Sequence, residues 1–253
     1  MERSLSVFVD DEPLASGGRF CISGKTGQGL YPYLFLLRAW NLTDSQYLQL
    51  FRGKSVAVMR EKSCLAFGKI ADVYRRTVPE GTMTFAAVSL GLDLWEARVS
   101  LSAMAGDGVF STVRALLENS GTGTELLDVP GEDVSFGRGH PFFGRASLCI
   151  AEALTAAGCR GVLTRSGLKV VREGYPQKPL EMAVTDLTDE PRFAEGGKIM
   201  VLSTTVTGFQ PGDEVVLSYR KEAYRGLILE RMVEADNGNG PWRTEMMIGV
   251  RKG

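Results

Sequence analysis

A chain of 253 residues, 44% of them hydrophobic, is long enough for one large domain or two to three small ones with ordinary cores. Its net charge of −1 gives neither the basic excess of a nucleic-acid binder nor a polybasic membrane anchor, which leaves protein as the expected partner. Four scattered cysteines, no C-x-x-C pair and a single histidine argue against a zinc site and for small buried thiols in a reducing compartment.

The first ten residues alternate like a strand and are broken by Asp10-Asp11-Glu12-Pro13, too soon for a signal peptide. No apolar run approaches the ~18 residues of a bilayer span. The expectation is a soluble protein made in the cytoplasm. Residues 1–100 read as a β-rich domain, with strands at 5–9, 19–24, 33–39, 54–59, 65–74 and 82–90 and a turn at Pro79-Glu80-Gly81. One helix interrupts them. Thr43 and Gln46 have capping-box spacing, Tyr47, Leu50 and Phe51 share a face, and Gly53 stands where a left-handed terminal residue is wanted. This helix is expected to plug one mouth of a barrel.

Over residues 101–177 the apolar period changes from two to 3.6. Asp107 is placed to cap a helix with Val109, Thr112, Val113, Leu116 and Leu117 on one stripe, ending near Gly121. Ala146, Ile150, Ala153, Leu154 and Ala157 mark a second helix, ending at Gly158. A hairpin then turns at Arg165-Ser166-Gly167. Residues 121–144, rich in glycine and charge, read as a surface loop that orders only against a partner.

Residues 178–253 form a second β-module. Pro211-Gly212 signals a turn, Val215, Leu217 and Tyr219 share a strand face, and 227–234 pairs with Trp242, Thr244, Met246 and Ile248 across a polar tip at Asp236-Asn237-Gly238-Asn239-Gly240. The fold class is α+β, mainly β, with two small β-barrel modules flanking a small mixed α/β domain.

No constellation here demands chemistry. Ser23-Gly24-Lys25-Thr26 lacks the earlier glycine of a phosphate loop, since Arg19 stands there. His140 has no nucleophile elbow, and reads as a loop histidine. Asp10/Asp11, Glu132/Asp133 and Asp189/Glu190 fall in predicted loops as solvated charge, although paired glycosidase carboxylates have no fixed spacing. The tip glycines lack the ligand pattern of a calcium loop and read as positions for positive φ. Tyr31, Tyr33, Phe35 and Trp40 form an aromatic run more consistent with core or a subunit seam than with a sugar or nucleic-acid platform.

Phe35-Leu36-Leu37-Arg38-Ala39-Trp40-Asn41-Leu42 before a short helix, Gly53-Lys54-Ser55-Val56-Ala57-Val58 and Phe67-Gly68-Lys69-Ile70 resemble the baseplate hub proteins of contractile phage tails, of the late-control protein D type. So do Gln210-Pro211-Gly212-Asp213, Gly226-Leu227-Ile228-Leu229-Glu230-Arg231, and Asp236 with Gly238, Gly240, Trp242, Thr244 and Glu245. The helix over 108–119 and the hairpin at Gly167 fit that family's middle domain. The resemblance implies a non-enzymatic homotrimer of tube-like barrels at the centre of a baseplate, assembled in the host cytoplasm and carried in the virion tail. Its partners would be the tail tube protein, the spike and other baseplate proteins, with no cofactor, metal, membrane or sequence-specific nucleic acid. Tyr47, Phe51, Trp242, Asp236 and Gly238 are the expected structural or partner-contact positions. The rival functions are a peptidoglycan-degrading tail hydrolase, prompted by the acidic loops, and a ligand-binding module around Tyr33.

Overall fold

The computed structural model describes residues 4–15, 18–172, 179–205 and 208–252; the expected boundary at 177/178 lies outside them. The chain opens with β1 (Ser6–Val9), β2 (Glu12–Ala15), β3 (Phe20–Gly27), β4 (Tyr33–Trp40), α1 (Asp44–Arg52), β5 (Ser55–Arg60), β6 (Ser63–Val78) and β7 (Gly81–Leu90). Next come α2 (Leu92–Glu96), β8 (Arg98–Ala103), α3 (Val109–Ser120), β9 (His140–Arg145), α4 (Ala146–Ala156), β10 (Cys159–Thr164) and β11 (Gly167–Arg172). The last part holds β12 (Leu180–Met182), β13 (Arg192–Ala194), β14 (Ile199–Thr204), β15 (Glu214–Tyr219), β16 (Glu222–Asp236) and β17 (Trp242–Lys252). Strand far outweighs helix, as the mainly β reading requires.

Residues 1–27, 33–90 and 178–253 form one compact unit, and 28–32 with 91–177 form a second. The first is built on one sheet in the order β13-β14-β17-β16-β3-β4-β7-β6-β5-β1-β2, with β15 on β16 and β12 parallel to β15. Two closed barrels were the expectation. Among the described strands the pairing is instead an open path, and β3 pairs with β16 so that the first and last segments share the sheet. The length of β16 makes this possible. Its residues 222–227 pair with β15, its residues 230–236 pair with β3, and a bulge between Ile228 and Glu230 separates the two stretches.

Alternation sets the core of this unit. Phe35, Leu37 and Ala39 on β4 are buried with Ile22, Ala86, Val88, Val233 and Ala235, while Leu34, Leu36, Arg38 and Trp40 occupy the other face of β4. Gly24 lies in β3 beside Phe35, where a Cβ would run into the Phe35 ring and the Leu34 carbonyl. Close backbone approach therefore explains the glycine of Ser23-Gly24-Lys25-Thr26, a stretch of strand. The Pro79-Glu80-Gly81 turn forms as expected, with Gly81 at φ 122°.

Helix α1 forms with both capping bonds. Thr43 Oγ1 accepts from the Gln46 amide at 3.3 Å, and Gln46 Oε1 accepts from the Thr43 amide at 2.9 Å. The expected left-handed cap at Gly53 does not occur, because its φ of −65° and ψ of 154° are extended. Glycine is needed there for space, since a Cβ would collide with Val9 Cγ1.

In the second unit α3 and α4 bury Val113, Leu116, Leu117, Ile150, Ala153 and Leu154 together with Val99 and Phe142 of the β8–β9 hairpin. Gly108, not Asp107, caps α3. Asp107 accepts instead from the Met104 amide at 2.6 Å. The free amides of α3 are served by Asp133, which accepts from Phe110 N at 2.7 Å and from Ser111 N at 3.1 Å. A carboxylate at a helix N-terminus also meets the positive end of the helix dipole. Asp133→Ala should therefore cost this unit about 1–2 kcal/mol, with faster amide exchange over the first turn of α3, and Asp133→Asn should keep part of that stability. Unchanged exchange at Phe110 and Ser111 would show that the cap is dispensable.

The stretch 121–144 is not a loop awaiting a partner. Leu126, Val129, Val134 and Phe136 pack on the core of the second unit, and its last residues form β9. The glycine and charge that suggested a loop lie before and between these anchors.

Candidate functional site

The five positions singled out from the sequence fall into two groups, both in the sheet unit. Tyr47 and Phe51 stack on α1 with ring centroids 5.8 Å apart. Only Leu50 of that helix is buried, while Phe51 is 56% exposed and Leu48 is also exposed. Arg75 holds the group to the sheet: its guanidinium lies 4.1 Å from the Tyr47 ring centroid and 2.8 Å from Asp44. The outer side of α1 is thus a partly apolar, exposed surface on a pinned helix, and only Leu50 of the helix points into the core.

The second group lies at the β16–β17 tip and is locked into the sheet. Asp236 is buried, accepts from Gly238 N at 2.7 Å and pairs with Arg19 at 3.3 Å. Asn237 accepts from the Phe20 amide at 2.7 Å and donates to the Gly18 carbonyl at 2.8 Å, so the tip closes over the start of β3. Neither Gly238 nor Gly240 has positive φ. A Cβ on Gly240 would strike Asp236, and one on Gly238 would meet Arg19 Nε at 2.7 Å, so close approach accounts for both glycines. Trp242 is 8% exposed, with the Arg60 guanidinium 5.2 Å from its ring centroid. Asp236 and Trp242 are thus buried, and Gly238 is closely packed.

Sequence reasoning missed Arg231. It is 2% exposed on β16, donating through Nη1 to the Phe209 carbonyl at 2.8 Å and through Nη2 to the Leu65 carbonyl. Burial lowers its pKa from the ordinary guanidinium value to about 10. Alternation places position 231 on the inner face with Val233, and that register was the available signal.

His140 opens β9 rather than sitting in a loop, and it has a carboxylate partner. Its Nε2 lies 3.0 Å from Glu152 Oε1 on α4, and its ring contacts Phe142 at 4.6 Å. With Phe136 and Arg138 the pair borders an open cleft of about 470 Å³. One carboxylate of each acidic pair has a local partner of its own. Asp10 accepts from the Lys54 and Ser55 amides, which holds its carboxyl below the usual range. Asp133 caps α3, and Glu190 meets Arg220 at the surface at 3.0 Å.

The aromatic run is dispersed. Phe35 is core, Trp40 lies under the Arg19 guanidinium at 4.2 Å, and Tyr31 belongs to the second unit, 6.0 Å from Trp95. All four cysteines are free thiols, and burial pushes Cys21, Cys149 and Cys159 up from their ordinary pKa. Among the described residues no group of three or more His, Cys, Asp or Glu side chains is arranged to hold a metal ion.

No protein-family model matches the sequence, and no curated protein matches it significantly. Solved structures do. A tail protein from Neisseria meningitidis MC58 superposes with a TM-score of 0.72 at 12% identity, over 98% of this chain and 96% of that one. The fold is one found in tail proteins. An Escherichia coli component of the type VI secretion system, itself described as similar to the phage T4 tail proteins gp27 and gp5, gives 0.68 at 9% identity over 98% and 77% of the chains. The 43 kDa tail protein of prophage MuSo2 from Shewanella oneidensis gives 0.62 at 10% identity over 98% of both.

Proposed function

We propose that this chain is a structural hub protein of a contractile-tail baseplate, a homotrimeric ring joining the tail tube to the central spike in the virion. The observation that carries the reading is the likeness in fold to the Neisseria tail protein, which spans 98% of this chain and 96% of that one. In this reading residues 1–100 and 178–253 supply two tube-like modules per subunit and residues 101–177 the domain between them. The ring would then offer six similar modules to a tube.

Two features of the sheet unit suit assembly. Its short, partly exposed edge strands offer backbone hydrogen bonds that a neighbouring copy can cover. The exposed Leu48 and Phe51 give α1 an apolar contact surface of modest size. The role needs no reaction centre, and one carboxylate of each pair that prompted a cell-wall hydrolase reading has a structural partner: Asp10 bonds to backbone amides, Asp133 to a helix end and Glu190 to Arg220.

Mass photometry and negative-stain microscopy of the full chain, alone and mixed with the tube and spike proteins from the same tail, test the proposal. The expected particle is a ring of three chains of 27.5 kDa each. A particle that stays monomeric in every mixture would refute it, as would release of fragments from purified peptidoglycan.

A further inference from the structure

We propose that the outer face of the β8–β9 hairpin is a docking surface for an acidic protein segment with an apolar residue at its centre. The hairpin is amphipathic. Val99, Ala103 and Phe142 are buried, whereas Arg98, Ser100, Ser102, Pro141, Phe143 and Arg145 alternate with them on the other face. Phe143 is 87% exposed, more than any other large hydrophobic side chain among the described residues.

The register sets Arg98 directly opposite Arg145. Like charges in that position of an antiparallel pair destabilise it. Among the described residues neither guanidinium has an ion pair; Arg145 lies over the Trp95 ring at 4.1 Å, and Arg98 has no such contact. Two cations without an ion pair and a bare phenyl ring therefore share one face, and only Arg145 has an aromatic contact from this chain. Carboxylates flanking an apolar side chain would supply what both lack, the charge at the arginine pair and the cover at Phe143. A protein segment fits better than a nucleic acid. The chain has a net charge of −1, and next to this face Met104 adds a second exposed apolar side chain, which a phosphate backbone would leave uncovered. This docking surface does not depend on ring formation.

The test uses the full chain and two blocked pentapeptides, each a leucine flanked by two glutamates or two lysines on either side, followed by backbone amide NMR. The glutamate peptide should shift residues 98–102 and 142–145 saturably, more weakly at high salt, and the lysine peptide should not. Arg98→Glu should weaken binding roughly tenfold or more while raising Tm by about 1–3 °C, because it turns a like-charge pair into an opposite one. Phe143→Ser should weaken binding and leave Tm unchanged. Equal binding of both peptides, shifts elsewhere, a lower Tm for Arg98→Glu, or tighter binding of a thymidine oligonucleotide would each overturn the proposal. So would self-association through this face that excludes the glutamate peptide, since the occupant would then be a second copy.

Discussion

Arg231→Ala should destabilise the sheet unit by about 3–5 kcal/mol, measured by urea unfolding. Two costs add. The substitution empties the space of a side chain that is 2% exposed, and it strips donors from the Phe209 and Leu65 carbonyls. Those carbonyls belong to the segment before β15 and to β6, so one side chain ties β16 to parts of the chain 22 and 166 residues away in sequence. Arg231→Met keeps most of the bulk and removes a buried charge, and it should recover part of the loss. The pH dependence has a definite sign. With a folded pKa of about 10, lowered from the ordinary guanidinium value, the unfolded chain holds more protons only between those two values. The titration of Arg231 therefore adds stability as pH rises through that window and contributes no slope below about pH 10. A loss under 1 kcal/mol for the alanine variant would mean that the carbonyls find other donors and that the tie is not structural.

Local chemistry made much of the fold legible. The capping box of α1, the apolar stripes of α3 and α4 and the Pro79-Glu80-Gly81 turn each depend on residues within a few positions of one another. What failed was non-local. The carboxylate that serves the free amides of α3 comes from Asp133, 23 residues from Phe110, and no local pattern distinguishes it from Asp107. The pairing of β3 with β16 joins Cys21 to Asp236 and makes one sheet of two expected modules, and alternation alone does not choose a strand's neighbour. Two tight turns were hidden for a different reason. Asp10-Asp11 and Arg220-Lys221 have positive φ at both residues without any glycine, so the usual sign of such a hairpin turn is missing.

The same limit applies to function. Tyr47 and Phe51 could be chosen as contact residues because an aromatic pair on a short helix is visible in sequence. Their exposure follows only from which strands lie beneath the helix, and there Leu50 alone is buried. The β8–β9 face was invisible because β9 lay inside a stretch read as loop. Once it pairs with β8, the register that brings Arg98 to Arg145 also exposes Phe143, and local sequence gives neither.

Trp242→Ala is the second large effect, with an expected loss of about 3–5 kcal/mol and a fall in Tm on the order of 10 °C for the sheet unit. The ring stands at the start of β17 opposite Ala235, on the inner face that continues through Thr244 and Met246. Removing it would leave a cavity beside Ala235 and take the cation–π partner from Arg60, which also donates to the Thr205 carbonyl at 2.9 Å. Arg60 is itself buried, so loss of the ring exposes its charge to a poorer environment rather than to free solvent. Trp242→Phe should restore most of the stability by refilling the space. An alanine variant with unchanged Tm would contradict the burial of the indole. Loss of assembly at unchanged Tm would instead make Trp242 a partner contact.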